Sequence, residues 1–113
     1  MNELHEKKCI PCEGNIPGFK ISEIHKYLKM VDGWNVLVDK SEIYHLIKEF
    51  KFKNFLESQN FVNKVGSIAE KEGHHPDIWF GWGYAKIKIF THAIKGLHES
   101  DFVLAAKIDK IEI

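Results

Sequence analysis

The sequence contains little cysteine, little proline and no long apolar run. Only two cysteines and three prolines occur among its 113 residues, and no segment approaches the ~18 apolar residues of a membrane-spanning helix. The first eight residues hold no apolar run of signal-peptide length. Because 16 basic side chains balance 16 acidic ones, a strongly basic nucleic-acid-binding surface is disfavoured. We therefore expect one soluble cytoplasmic domain, without membrane association or direct nucleic-acid binding.

The two cysteines, Cys9 and Cys12, form a CxxC motif. In a cytoplasmic chain this spacing favours free thiols or a metal site over a structural disulfide. The stretch that follows is rich in turn-forming residues, so no helix lowers a thiol pKa and redox catalysis is disfavoured. Structural zinc needs four ligands, whereas only these thiols and His5 are nearby. We expect residues 1–20 to form a flexible N-terminal arm and residues 21–113 to form the folded domain.

Hydrophobic spacing predicts three helices. The first has Ser22 as its N-cap and ends at residues 32–33. The second begins after an Asn54 cap and ends at Gly73, which can adopt the left-handed conformation of a helix stop. The third covers residues 99–110.

Apolar and β-branched segments predict four strands that pair as two hairpins. Lys48 is the one charged residue on an otherwise apolar strand face. The element order predicts an α+β domain with two layers, in which three helices pack on one face of a four-stranded antiparallel sheet. The other face needs a cover, so a homo-oligomer is expected. The predicted strands cover residues 34–38, 43–53, 77–82 and 84–91.

Three of the seven histidines, His74, His75 and His92, fall where these elements end. A histidine can hold or release a proton near neutral pH, which suits it to acid-base catalysis. The helix C-terminus before His74 favours an imidazolium there, and Pro76 biases His75 toward extended backbone. His92 returns to the neighbourhood of His74 if the last two strands form a hairpin. Asp101 then supplies a carboxylate that can orient one imidazole.

The residues alone leave a structural histidine cluster and an acid-base site about equally open. A zinc site is a minority interpretation, because the adjacent His74 and His75 are awkward ligands for one tetrahedral ion. Isolated surface histidines are common. We therefore assign no role to the other four, which are His5, His25, His45 and His98.

The histidine stretch resembles the pterin-4a-carbinolamine dehydratase family. The family pattern is an acidic residue, three others, His-His-Pro, an aromatic residue six positions after the proline, a histidine ten positions later, and an aspartate further on. The similarity covers roughly residues 22–108 and also includes Trp34 and Thr91. The matching residues here are Glu70, His74-His75-Pro76, Trp82, His92 and Asp101.

The resemblance implies an enzyme that removes water from a 4a-hydroxytetrahydropterin to give the quinonoid dihydropterin, without a metal or organic cofactor. It implies that His74 and His92 are the acid-base groups, that His75 positions the pterin, and that Asp101 supports the site. From the uncovered sheet face we expect this homo-oligomer to be a homodimer or homotetramer. The further supporting or substrate-binding residues are Glu70, Pro76, Trp82, Thr91 and Trp34.

The sequence departs from the family pattern at position 98, and two alternative functions remain open. His98 stands where the family usually has Ser or Thr before the last helix, so we expect Asp101 to cap that helix as well as serve the site. The chain could act on another pterin, in folate or molybdopterin metabolism. Alternatively, it could be a non-catalytic dimerisation cofactor of a transcription factor.

Overall fold

The computed structural model describes residues 4–9 and 17–112, and its element order is α-β-β-α-β-β-α. The helices are α1 (Ile21–Leu28), α2 (Phe55–Glu72) and α3 (Glu99–Asp109). The strands are β1 (Asn35–Val38), β2 (Tyr44–Lys51), β3 (Asp77–Gly81) and β4 (Tyr84–Ile89). Short 3₁₀ helices cover Leu4–Glu6 and His92–Ile94. The predicted α+β class is confirmed.

No helix within the described ranges has the length and apolarity needed to cross a membrane.

The four strands form one antiparallel sheet in the order β1-β2-β4-β3. Leu46 pairs with Ile89, and Ile78 pairs with Ile87. Because side chains alternate between the two faces of a strand, these residues lie on one face, which packs against the helices. The residues of the sheet, α2 and α3 that form the centre of the core include Leu46, Phe50, Ile87, Ile89, Phe61, Val65, Phe102 and Leu104.

Lys48 lies on the core face of β2, as predicted, and its charge is neutralised there. Its ammonium is 2.8 Å from Asp109 Oδ1, donates to the Asp32 carbonyl at 2.6 Å, and lies 4.7 Å from the centre of the Phe50 ring. A partly buried ammonium is tolerated when it is paired and hydrogen-bonded. This ion pair therefore ties β2 to the C-terminal end of α3.

Both predicted ends of α2 are confirmed. The Asn54 side chain accepts a hydrogen bond from Glu57 N–H at 2.9 Å, and Gly73 has a φ of 66° in the left-handed region. His74 N–H then donates to the Ala69 carbonyl at 3.1 Å. Because an α2 carbonyl accepts this bond, the backbone of His74 is fixed to the end of the helix.

Ser22 is not the N-cap of α1, so that prediction is wrong. The helix begins at Ile21, and Lys20 is the cap. The Lys20 N–H donates to Glu23 Oε1 at 3.0 Å, and the preceding Phe19 N–H donates to the Leu97 carbonyl at 2.7 Å. The bond to Leu97 fixes the start of the helix from outside, so no hydroxyl cap is required.

Residues 4–9 are packed against the fold, in contrast to the flexible arm that we expected. Leu4 is buried in the core, and Lys107 Nζ donates to the His5 carbonyl at 2.9 Å. Cys9 is half-buried. Cys12 lies outside the described residues, so the interpretation of the CxxC motif as a pair stays a prediction.

Gly66 within α2 and Gly73 directly after it predict opposite effects on stability. Gly66 is exposed inside the helix with no atom within 4 Å of an added Cβ, whereas Gly73 has a positive φ. Gly66→Ala should raise the free energy of unfolding by about 0.5–1 kcal/mol, because alanine favours helix. Gly73→Ala should lower it by about 1 kcal/mol, because a Cβ is strained there. Urea unfolding measures both, and equal effects of the two changes would contradict the assignment of Gly73 as the helix stop.

Candidate active site

Asp101 is a fully buried carboxylate in the first turn of α3. Its Oδ2 accepts hydrogen bonds from Thr91 Oγ1 and from His98 N–H, each at 2.8 Å. The second bond caps the helix, as we expected from the absence of a hydroxyl residue at position 98. These donors and the positive end of the helix compensate the buried negative charge.

His74 is bound to the same carboxylate. Its Nε2 lies 2.7 Å from Asp101 Oδ1, and its side chain is largely buried. An ionised carboxylate can only accept hydrogen bonds, so we assign a proton to Nε2. That assignment makes Nδ1 the ring nitrogen that can take up or release a proton in a reaction.

His75 is more accessible than His74. Its Nε2 lies 2.9 Å from Glu70 Oε1, and the two side chains are 64% and 82% exposed. Water and salt screen such a pair, so it contributes little to stability. The pair does give the exposed imidazole a preferred direction, because Glu70 is fixed on the last turn of α2.

His92 follows Thr91 directly and lies at the same end of the β3–β4 hairpin as His74. The hairpin pairs Asp77 with Lys88, which leaves the residues before β3 and those after β4 at one end. The His92 ring contacts the Phe90 ring at a centroid distance of 4.1 Å. The predicted hairpin is thus confirmed. His92 also borders a cavity of about 620 Å³, whose other lining residues are Ser41, Glu42, Ile43, Phe90 and Lys95.

Two backbone conformations shape the rim of this cavity. Glu42 has a φ of 63° and Lys95 a φ of 51°, and these are the described non-glycine residues with positive φ. Left-handed backbone at non-glycine residues is uncommon and occurs often near functional sites. Each residue closes a tight turn here, since Glu42 N–H donates to the Asp39 carbonyl and Lys95 N–H to the His92 carbonyl.

His45, to which we assigned no role from the sequence, is buried behind Phe90. Its ring meets the Phe90 ring at 4.4 Å, and its Nε2 lies 2.8 Å from Asp39 Oδ2. This hydrogen bond, followed by the one from Ile43 N–H, holds the pKa of Asp39 below its usual range. His45 therefore supports Phe90, which in turn contacts His92. Strand alternation places His45 on the outer face but does not indicate that it is buried there.

The two tryptophans predicted for the site lie away from the His74–Asp101 pair. The buried Trp34 donates from Nε1 to Asp109, which is two turns along α3 from Asp101. Trp82 is 70% exposed in the β3–β4 turn, at the other end of the hairpin from the histidines. Pro76 is half-buried immediately before β3. The roles expected for these three residues stay predictions.

The chemistry at this end of the hairpin is that of imidazoles and carboxylates. Across residues 4–9 and 17–112, no three His, Cys, Asp or Glu side chains are grouped so that they could hold a metal ion. The structure instead joins His74, Asp101 and Thr91 by hydrogen bonds. A buried carboxylate that orients an imidazole is the usual arrangement around a histidine that transfers protons.

A comparison with family models gives a match over residues 17–111 to the model described as pterin 4 alpha carbinolamine dehydratase. The chain belongs to this dehydratase family. The match includes every residue of the hydrogen-bonded pair and of the hairpin end, whereas residues 4–9 lie before it.

Relatives of this dehydratase family cover nearly the whole chain. A Rubrobacter xylanophilus protein, provisionally named a pterin-4-alpha-carbinolamine dehydratase, is 51% identical over 98% of this chain and 100% of its own length. A protein of the same name from Alkaliphilus metalliredigens is 52% identical over 97% of this chain and 96% of its own length. The crystal structure of a transcriptional coactivator/pterin dehydratase from Brucella melitensis matches with a TM-score of 0.73 and 27% identity, covering 81% of this chain and 95% of that one.

The buried pair predicts that Asp101 is important for stability as well as for chemistry. Asp101→Asn should lower the free energy of unfolding by about 3 kcal/mol, because an amide nitrogen replaces one buried acceptor oxygen. Thr91→Val should cost about 1 kcal/mol, because it removes one donor to that carboxylate. Chemical denaturation at neutral pH measures both values.

Glu70→Gln is the matched control for that measurement. This substitution changes the carboxylate that pairs with His75, and both side chains of that pair are exposed. We expect no measurable change in its free energy of unfolding. A loss for Glu70→Gln as large as that for Asp101→Asn would contradict the buried pair as the stabilising element.

Proposed function

We propose that this protein catalyses the loss of water from a 4a-hydroxytetrahydropterin, giving a quinonoid dihydropterin. The observation that carries the proposal is the His74–Asp101 hydrogen bond, at the hairpin end that also holds His92, in a chain of this dehydratase family. The products are water and the dihydropterin. No electron leaves or enters the ring system overall, so proton transfers are sufficient to balance the reaction.

The reaction breaks the bond between C4a and the hydroxyl oxygen and removes the proton on N5. One imidazolium donates a proton to the departing hydroxyl, which leaves as water, and one neutral imidazole accepts the N5 proton. The pair of electrons from the N5–H bond forms the C4a–N5 double bond. The reaction therefore needs one histidine that starts protonated and one that starts neutral. We assign these two roles to His74 and His92.

Asp101 prepares His74 for its role. Because Nε2–H is committed to the carboxylate at 2.7 Å, the proton exchanged with the pterin is carried on Nδ1. When Nδ1 is protonated, Nε2–H of the ring remains hydrogen-bonded to the Asp101 carboxylate. Thr91 and the helix N-terminus keep that carboxylate in one orientation.

His75 has the properties of a substrate-positioning residue. Its ring is mostly exposed, and Glu70 holds its Nε2. A flat bicyclic ring requires an aromatic or imidazole surface and a few polar contacts. We therefore assign pterin binding to His75.

Stopped-flow measurement of 4a-hydroxytetrahydropterin breakdown tests the proposal. His92→Ala and His74→Gln should each lower kcat by about 10²-fold or more, because each removes one proton-transfer group. His25→Ala is the matched control, since His25 is exposed on α1. It should keep the wild-type rate.

Failure of the wild-type protein to accelerate the reaction above the buffer rate would overturn the proposal. A loss for His25→Ala equal to that for His92→Ala would also count against it, because that result indicates a general effect of histidine removal. Far-UV circular dichroism of each variant distinguishes chemistry from unfolding.

A second candidate function is supported by the Brucella melitensis protein, which is named both a transcriptional coactivator and a pterin dehydratase. A coactivator role depends on a protein-binding surface, whereas dehydration depends on His74 and His92. Replacing both histidines would abolish dehydration but preserve a role that depends on protein binding. Comparing pterin substrates with and without a side chain would identify the natural pterin.

We also propose that the protein forms a homodimer or homotetramer. Large apolar side chains remain exposed on the sheet and its β3–β4 turn, notably Leu37, Trp79 and Trp82, which are 47%, 47% and 70% exposed. By strand alternation, Leu37 and Trp79 lie on the face opposite the helices. Exposed apolar surface of this kind is often covered by another copy.

Light scattering should give a mass of two or four chains. Trp79→Asp should reduce that mass, because a charge replaces an exposed indole on the outer face. Asn63→Asp is the control, since it adds the same charge at an exposed position of α2, on the other side of the sheet. A monomeric wild type would contradict this proposal without affecting the proposed chemistry.

A further inference from the structure

The segment from Leu4 to Cys9 contacts the two chain segments that carry the His74–Asp101 pair. It lies before the part of the chain that the family model matches, which is residues 17–111. It also carries the first cysteine of the CxxC motif, for which the proposed reaction has no use. Its contacts therefore require a separate explanation.

Within the part of the chain that the structure describes, Cys9 donates two hydrogen bonds, one from its backbone and one from its side chain. The Cys9 N–H donates to Glu72 Oε1 at 2.9 Å. The thiol donates from Sγ to the Ser100 carbonyl at 3.4 Å, within the range for a sulfur donor. One residue of the N-terminal segment thus bonds to both α2 and α3.

The acceptors of these bonds lie next to the proposed catalytic pair. Glu72 is the last residue of α2 and precedes His74 by two positions. Ser100 immediately precedes Asp101 in the first turn of α3. Cys9 therefore spans the same two segments that the His74–Asp101 hydrogen bond joins.

A second contact fastens the segment to the same helices. Lys107 Nζ donates to the His5 carbonyl at 2.9 Å and lies 3.8 Å from Glu72 Oε2. The side chains of Glu72 and Lys107 are only 8% and 19% exposed. The Leu4 side chain is buried beside α3. Glu72 is therefore held from two sides, by Cys9 and by Lys107.

The protonation state of the thiol fits a donor role. Burial, followed by the charge of Glu72, raises the pKa of Cys9 to about 12. The thiol therefore keeps its hydrogen at neutral pH and can donate it to the Ser100 carbonyl. The same shift suppresses the thiolate, so Cys9 is a poor nucleophile.

We infer that Cys9 is a positioning residue for the dehydration, because it fixes the end of α2 to the start of α3 and so maintains the His74–Asp101 geometry. The inference deepens the proposed function and, for its effect on rate, rests on it. A small displacement of a proton-transfer group lowers the rate of reaction while leaving most substrate contacts in place. The effect of losing Cys9 should thus appear in kcat more than in KM.

Three replacements of Cys9 separate hydrogen bonding from packing. Cys9→Ala removes the thiol donor and some side-chain volume. Cys9→Val removes the thiol donor but fills the space, and Cys9→Ser retains a side-chain donor. All three keep the backbone N–H that bonds to Glu72. Lys8→Ala is the matched control, because Lys8 is exposed in the same segment. Thermal unfolding verifies that each variant is folded.

The first readout is the solvent exchange rate of the imidazole proton between His74 Nε2 and Asp101, measured by NMR without substrate. Its signal is assigned by its loss in His74→Gln. In Cys9→Ala and Cys9→Val the exchange should be about tenfold faster, because the hydrogen bond opens more often. Cys9→Ser should recover most of the wild-type protection, and Lys8→Ala should equal wild type.

The second readout is kinetic. In Cys9→Ala and Cys9→Val, kcat for dehydration should fall by about tenfold with KM changed less than twofold, and Cys9→Ser should restore most of kcat. Exchange and kcat within twofold of wild type in the folded Cys9→Val variant would overturn the inference. Equal impairment of Cys9→Ser and Cys9→Val would also overturn it, because only packing would then matter.

The two readouts keep this inference separate from the proposed function. A wild-type protein without dehydratase activity would overturn the proposed function, and the exchange rates would still decide whether Cys9 maintains the His74–Asp101 hydrogen bond. If Cys9→Ala fails to fold, Cys9→Val and Cys9→Ser provide the same comparison.

Discussion

The buried carboxylate of Asp101 is the interaction on which the rest of the structure depends. It caps α3 through His98 N–H, accepts the Thr91 hydroxyl after β4, and binds His74 after α2. A buried charge is stable only when such partners surround it. The same contacts that compensate this charge therefore join the sheet to both long helices and define the geometry of the proposed active site.

Local features of the fold could be predicted from the sequence because their physical causes are local. The Asn54 cap and the Gly73 stop of α2 depend on the conformations of one or two residues, and strand alternation placed Lys48 on the core face. The expected capping by Asp101 followed from a single departure at position 98. Ser22 was a wrong choice of cap because a distant backbone group, the Leu97 carbonyl, fixes the start of α1.

The features that could not be predicted depend on contacts between distant parts of the chain. No periodicity indicates that His45 is covered by Phe90, or that residues 4–9 dock beside α3. The histidine motif indicated which residue types meet, but not the division between a buried pair at His74 and an exposed pair at His75. That division depends on tertiary packing, which determines how far each imidazole is removed from water.

The strand order gives the site a particular place in the folding process. Leu46 and Ile89 pair in the centre of the sheet, yet the whole of α2 and the β3–β4 turn separate them along the chain. Closing such a long loop costs entropy before any contact compensates it, so this pairing is among the slower steps of folding. The end of β4 leads directly to Thr91 and His92. The histidine site is therefore completed only with the non-local centre of the sheet, and a partly folded chain has no functional fragment of it.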